Sequence, residues 1–238
     1  MALKVYYDLM SQPSRAVYIF LRCNSIPFSE QPVALRKQEQ HQEAFAKINP
    51  FRHVPAIDDH GFKLTESSAI LKYLSNQYLS PQSQHWYPKN NQQRAKVDEY
   101  LDWHHLHTRL NFMMYFQHKI LRPVVNKHPV NDDQVEKYRK GIEKTVASIA
   151  SYFLQDCKFF LGDRISIADL QAVVEIEQVL SSAYDPLVGH SSLQGWRERV
   201  REATAPHYQD ATKILYQITA RIQQLLEKEN SDKHVQNN

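Results

Sequence analysis

"VPAIDDHGFKLTESSAILKYLSNQY", residues 54–78, decides the fold. Its first half reads as a β-hairpin, with Asp59-His60-Gly61 supplying the turn. From Thr65 the pattern changes, and Ala69, Ile70, Tyr73, Leu74 and Tyr78 recur at helical spacing. Working back from the hairpin, residues 3–7 (LKVYY) read as a strand, 14–23 as a helix, 28–33 as a second strand, and 42–48 as a short helix. The order βαβαββα builds a small mixed sheet with helices on its faces.

Working forward, "SPQSQHWYPKNNQ" is polar and carries Pro81 and Pro88, the composition of a linker. Beyond it only helical periodicity remains, predicting helices near 91–120, 131–156, 166–180, 191–203 and 206–227. The expected division is an α/β domain at 1–80, a linker at 81–92 and an all-α domain at 93–238. Its tail, from about residue 228, has Val235 as its one apolar residue and is expected to fray. Five glycines in 238 residues favour helix, because strand-rich folds need many special turns.

Composition narrows the function. Twenty-nine lysines and arginines against 26 acidic residues leave a net charge of +3, too small and too dispersed to argue for nucleic acid. The densest basic piece, around Lys137, Arg139, Lys140 and Lys144, is interrupted by Glu136 and Glu143 and reads as a solvated helix face. Cys23 and Cys157 lie far apart with no metal or redox spacing, which fits a reducing compartment. With neither a signal-peptide pattern nor an apolar run of ~18 residues, the expectation is a soluble cytoplasmic protein that does not engage membranes.

Three helix starts offer chemistry. At Ser166-Ile167-Ala168-Asp169 the spacing is that of a capping box, with Ile165 and Leu170 placed as a hydrophobic staple, a device of stability. Thr65-Glu66-Ser67-Ser68 opens the helix after the hairpin, and its unpaired, positively polarised N–H groups suit either a plain cap or a ligand carboxylate. The third start is "DLMSQPSRAVYIF", residues 8–20, where Pro13 fits the first helical turn. Ser11 there is open to two readings: a helix cap, or a donor to an external anion aided by the helix dipole. Position favours the second, since the turn after the first strand of such a sheet lies at the edge where ligands sit. The Val54-Pro55 bond is a candidate for the cis form, presenting backbone groups to an extended ligand. A hydroxyl, a strand-like edge and a carboxylate seat together suit a short peptide with a reactive group.

At these residues the chain resembles the cytosolic glutathione S-transferases, and within them the theta class. The resemblance is carried by "YYDLMSQPSRAVYIF", "INPFRHVPAIDDHGFKLTESSAILKYL", "HWYP", "RAKVDEYLDWH", "FLGDRISIADL" and, more weakly, "LQGWRERV". It implies a thioredoxin-like domain followed by an all-helical one, and conjugation of glutathione, a co-substrate, to small electrophiles, with alkyl halides or peroxides as further substrates. No cofactor or metal is implied, and a homodimer is. The thiolate-stabilising serine maps onto Ser11, with Ser14 its nearest rival. The γ-glutamyl seat falls on Glu66 and Ser67, the cysteinyl contact on His53 and Val54 before Pro55, and the glycyl contact on Gln40 or His41. His104 and His107 match the part of the first long helix that theta enzymes use.

The energetics fit. A free thiol of pKa ~8.5 needs ~2.7 kcal/mol of differential stabilisation to drop by two units. A hydroxyl donor to a charged acceptor supplies roughly 1.5–3 kcal/mol and a helix N-terminus ~0.3–1. Serine stands where redox relatives of this layout carry cysteine because the sulfur comes from the ligand. For the electrophile, Met10, Asn111, Tyr115 and the last helix are candidates. On the first long helix, Trp103, Leu106, Leu110 and Met113 read as core, while Tyr100, His104, His107, Asn111 and Tyr115 form a stripe able to face a cleft. A metal reading of His104, His105 and His107 lacks a third ligand on one face. The competing reading is a non-catalytic ligand-binding or scaffold protein of the same fold. An oxidoreductase is disfavoured by the absence of cysteine near residues 11–14.

Overall fold

The computed structural model describes residues 2–125 and 127–236. Strand β1 (Lys4–Tyr7) is followed by helix α1 (Gln12–Cys23), β2 (Ser29–Pro32), a short α2 (Glu43–Ala46), the hairpin β3 (Ala56–Asp59) and β4 (Phe62–Thr65), and α3 (Ser67–Tyr78). The sheet order is β2-β1-β3-β4, with β1 and β2 parallel and the other pairs antiparallel. The βαβαββα order expected from the sequence is the one observed. The hairpin turns on His60 and Gly61, both at positive φ (55° and 97°), the backbone that a two-residue turn with the twist of its strands requires.

The rest is helical: α4 (Asn91–His104), α5 (Leu110–Phe116), α6 (Asp132–Ser148), α7 (Ile167–Leu180), α8 (Ser191–Ala203) and α9 (His207–Gln236). The fold is thus a thioredoxin-like sheet domain followed by an all-helical domain. α9 runs past the expected end at 227, since no glycine or proline interrupts residues 207–236; Asn237 and Asn238 of the expected tail lie outside the described residues. The 81–92 segment is held in place rather than loose, because Trp86 is buried and packs edge-on against Phe20 of α1.

The expected helix at 91–120 is not uniform. π-helical turns at His105–Arg109 and Gln117–Val125 interrupt it, and a third closes α6 at Ile149–Leu154. Each wide turn rotates the next stretch of helix away from the face that a regular period would give it. The buried face therefore runs through Tyr100, His104, Thr108, Phe112 and Tyr115, and the Tyr100 and Thr108 hydroxyls meet across the wide turn at 3.1 Å. This corrects the expected core stripe: Leu106 is 72% exposed, Leu110 is exposed, and Trp103 and Met113 are only half-buried.

α7 is the centre of the molecule, packing on α1, α4, α5 and α8. Every residue from Ile167 to Val179 is buried, including Asp169, Gln171, Glu175, Glu177 and Gln178. These polar groups stay inside because each has a partner, as burial demands. Arg109 Nη1 donates to Glu175 at 2.9 Å, Arg201 Nη2 and the Tyr208 hydroxyl to Glu177 at 3.0 and 2.6 Å, and Arg15 Nη2 to Gln178 Oε1 at 2.7 Å. The capping box is present: the Ser166 N–H donates to the Asp169 carboxylate at 2.9 Å and the Ser166 hydroxyl accepts from Ala168 N–H at 3.3 Å. Ile165 and Leu170 are both buried beside it. The basic face at 137–144 is solvated, with Lys137, Lys140 and Lys144 exposed and Arg139 paired to Glu136 and Glu143.

Candidate functional site

β1 ends at Tyr7, and Asp8 shapes the turn into α1. Its carboxylate accepts from the Met10 and Leu35 N–H groups, both at 2.9 Å, and its carbonyl accepts from Ser11 N–H at 2.9 Å. This turn delivers Ser11 to the N-cap of α1, with Pro13 in the first turn. The Ser11 hydroxyl accepts from Ser14 N–H at 3.4 Å and donates to the Val54 carbonyl at the same distance. Both contacts are long for a hydroxyl. Capping uses the oxygen as acceptor, so the one hydroxyl proton is held only weakly and is available to an incoming anion. Both readings of Ser11 are therefore compatible in one geometry. Ser14, the rival, has its hydroxyl sealed in at 0% residue exposure with no partner, whereas Ser11 keeps 8%.

The Val54-Pro55 bond is cis. The loop before it is braced by buried Asn49, whose Nδ2 donates to the His53 carbonyl at 2.6 Å while its Oδ1 accepts from Phe51 N–H at 2.9 Å. Arg52 donates to the His41 carbonyl and, at 2.6 Å, to Glu43, tying the 39–43 segment to the 52–54 loop. The expected glycyl contact thus lies next to the expected cysteinyl contact. His41 and His53 point to solvent, while Gln40 is half-buried with its Oε1 shut away and unpartnered.

The third loop is the start of α3. Glu66, not Thr65, is its N-cap; its side chain makes no capping bond, and its backbone stands at φ 65°, ψ 112°. A non-glycine residue held at positive φ costs on the order of 1–3 kcal/mol, and such strain gathers at ligand sites. Glu66 is exposed, Ser67 half-buried and Ser68 buried. From behind, the Gln171 side chain reaches Ser67 Oγ at 2.7 Å.

Tyr7 is not an alternative thiolate donor. Its hydroxyl donates to Glu30 at 2.5 Å, and burial followed by that bond pushes its pKa well up. Tyr6 is also raised, mainly by burial.

The residues expected from the helical domain part company. His107 is exposed, stacked on Trp103 at 4.4 Å with Nδ1 on the Trp103 carbonyl at 2.8 Å. His104 is 2% exposed, packed on Tyr100 and His105, so the expectation that it faces a ligand is corrected: it lies one regular turn after Tyr100, on the face of α4 that Val97 and Leu101 also bury. Asn111 lies in the α5–α6 contact, donating to Thr145 Oγ1 at 3.1 Å and closing against Gly141, where a Cβ would stand 2.3 Å from its Oδ1. Tyr115 is buried with its ring 5.3 Å from Tyr184, and Met10 is half-buried in the turn before Ser11. A cavity of about 400 Å³ lined by His118, Arg122, His128, Pro129 and Asn131 shares no residue with the three loops. Among the described residues no group of three or more His, Cys, Asp or Glu could hold a metal.

Burial, with smaller contributions from His105 and Arg109, lowers the His104 pKa to about 3. The unfolded chain takes up a proton near pH 6.5 that the folded chain refuses until near pH 3. Stability from this residue is therefore lost as pH falls below about 6.5, by about 1.4 kcal/mol per pH unit. In urea unfolding at pH 7 and pH 5, the wild type is expected to lose about 2 kcal/mol more than His104→Phe. Equal losses would contradict this placement.

Sequence reading passed over Gln12, Arg15 and Gln171. Gln12 sits beside Ser11 in the first turn of α1, buried, with Nε2 unpartnered. Arg15 is fully buried, its Nη1 on the Leu9 carbonyl at 2.9 Å and Nη2 on the Val174 carbonyl at 3.1 Å, so it fastens the turn ahead of Ser11 to α7. Burial lowers its pKa to about 10, against the pull of Tyr208, Glu175 and Glu177. For Arg15 a signal lies in the stretch "DLMSQPSRAVYIF" that carries the family resemblance. For Gln171 there was none.

Residues 1–76 match the family model "Glutathione S-transferase, N-terminal domain" and residues 112–203 match "Glutathione S-transferase, C-terminal domain". Mouse glutathione S-transferase theta-1 is 38% identical over 219 residues, spanning 92% of this chain and 90% of that protein. The chain belongs to the theta class of the glutathione S-transferase family. Two solved human glutathione transferases extend the likeness. Theta-2 in complex with glutathione and an unknown ligand is 36% identical, with a TM-score of 0.88 over 93% of this chain and 90% of that one. A theta-class enzyme in complex with the glutathione conjugate of 1-menaphthyl sulfate is also 36% identical, with a TM-score of 0.88 over 95% and 92%. As a glutathione S-transferase the chain is a transferase, and the scaffold-only reading is not favoured.

Proposed function

We propose that the 11–14, 40–55 and 65–68 loops bind glutathione, that Ser11 donates to its thiolate, and that the sulfur attacks a small electrophile held between Met10 and the helical domain. The observation that carries this is the Ser11 hydroxyl, set at a helix N-terminus against the Val54 carbonyl by contacts too long to commit its proton. Glu66 and Ser67, with the uncapped start of α3, seat the γ-glutamyl end, and the positive end of the helix favours its carboxylate. His53 and Val54 offer backbone to the cysteinyl part. Gln40 takes the glycyl end in preference to His41, because its amide nitrogen can donate to the glycyl carboxylate from a half-buried position whereas His41 lies out in solvent. His107 lines the approach.

The proposed electrophile, an activated aryl-methyl carbon bearing an anionic leaving group, is supported by the relative solved with the glutathione conjugate of 1-menaphthyl sulfate. Residues 1–80 form the glutathione domain and 93–238 the domain that faces the electrophile. A homodimer, supported by exposed Phe62 beside Tyr73 of α3 and by exposed Leu106, completes the proposal, together with a cytoplasmic location. Among the described residues no helix is long and apolar enough to cross a membrane. Initial rates with glutathione and a benzylic halide test the reading. Conjugation that saturates in glutathione is expected, and a rate no higher than the uncatalysed one contradicts it.

A further inference from the structure

Ser67 is addressed by the helical domain. Gln171 of α7 is fully buried; its Nε2 donates to Ser67 Oγ at 2.7 Å and lies 3.4 Å from Ser68 Oγ, and its Oε1 has no partner. An amide nitrogen only donates, and a hydroxyl has one proton and two lone pairs. With one lone pair of Ser67 taken by Gln171, the serine proton is not spent on α7 and is free to turn to a ligand. We propose that Gln171 is a positioning residue for glutathione: it holds the Ser67 hydroxyl as an acceptor and so aims its proton at the γ-glutamyl carboxylate. This rests on the reading of Ser67 as the γ-glutamyl seat.

The geometry has a second consequence. Were the Gln171 amide turned the other way, its oxygen would take the Ser67 proton and withhold it from the ligand, because amide orientation is set by the bonding network. The two orientations predict opposite signs, so removing the amide discriminates between them. The link also couples the domains, since the seat is correctly poised only while Gln171 of α7 reaches Ser67.

The experiment compares wild type, Gln171→Met, Ser67→Ala and the double variant, using glutathione and cysteinylglycine, which lacks the γ-glutamyl part. Ser67→Ala is expected to raise the KM for glutathione about tenfold and Gln171→Met about three- to tenfold. Under the proposal kcat stays within about twofold of wild type, and the KM for cysteinylglycine does not move. In the Ser67→Ala background Gln171→Met should add nothing further, as expected of residues that act through one contact. A Gln171→Met KM that is unchanged or lower while Ser67→Ala raises it overturns the proposal alone. An equal rise for both thiols also overturns it, by making Gln171 merely structural. If Ser67→Ala leaves the KM for glutathione unchanged, the seat itself is wrong and both fall. Should Gln171→Met fail to fold, Gln171→Asn keeps the amide but is one methylene too short to reach Ser67, and the same outcomes apply.

Discussion

Ser11→Ala is expected to lower kcat/KM for glutathione conjugation by about 100-fold near pH 6.5, the equivalent of ~2.7 kcal/mol of lost thiolate stabilisation. The loss should shrink as pH rises, because above its ordinary pKa of ~8.5 the bound thiol ionises without help. Stability should fall far less. The hydroxyl caps α1 only at 3.4 Å, which places the cost of removing it near the low end of ~0.5–2 kcal/mol for cap removal. Ser14→Ala, at a hydroxyl sealed inside the fold, is the control and should leave the pH profile unchanged. A Ser11→Ala enzyme with wild-type kcat/KM at pH 6.5 would remove Ser11 from the mechanism.

Asp169→Ala should carry the largest loss of stability, about 3–5 kcal/mol by urea unfolding. Its carboxylate accepts four bonds in a fully buried setting. Ser166 N–H and hydroxyl donate at 2.9 and 2.8 Å, Phe160 N–H at 2.9 Å, and Trp196 Nε1 at 2.8 Å. Burial pushes its pKa above the ordinary carboxylate value while these donors pull against it. Alanine would orphan the donors of a helix start, a loop and a fully buried tryptophan on α8 at once. A loss under about 1 kcal/mol would mean that water or neighbouring groups replace the carboxylate.

The contrast between these two sites shows what a sequence can carry. The capping box at 166–169, the hairpin turn at His60-Gly61 and the placing of Ser11 after β1 are local, written within a few consecutive residues. They were legible for that reason. The face of the first long helix was not: an α-helical period also puts Trp103, Leu106, Leu110 and Met113 together, but α4 buries Val97, Tyr100 and His104, and the π-turn at His105–Arg109 carries that buried face on to Thr108 and Phe112, leaving Leu106 and Leu110 exposed. No residue type marks such a turn in advance. Arg15 with Gln178 and Gln171 with Ser67 join positions 163 and 104 residues apart, and a lone glutamine in a helical pattern does not announce a partner in another domain. The buried glutamates of α7, Glu175 and Glu177, read as polar breaks in an apolar pattern, whereas each is matched to a cation or hydroxyl from a separate element.

Arg15 and Gln171 give this packing a functional side. α7 grips the turn ahead of Ser11 through the first and the start of α3 through the second, so both ends of the proposed glutathione seat are referred to one buried helix. Proteins hold reactive geometry in this way, by rigid elements behind the residues that touch the ligand.

The most direct test of the account is a pH titration of the ultraviolet thiolate absorbance of glutathione bound to the purified protein, wild type beside Ser11→Ala. The account predicts that the wild type ionises bound glutathione about two units below its free pKa and that the variant does not. Glutathione bound with an unshifted thiol, or a shift that survives unchanged in Ser11→Ala, would contradict it.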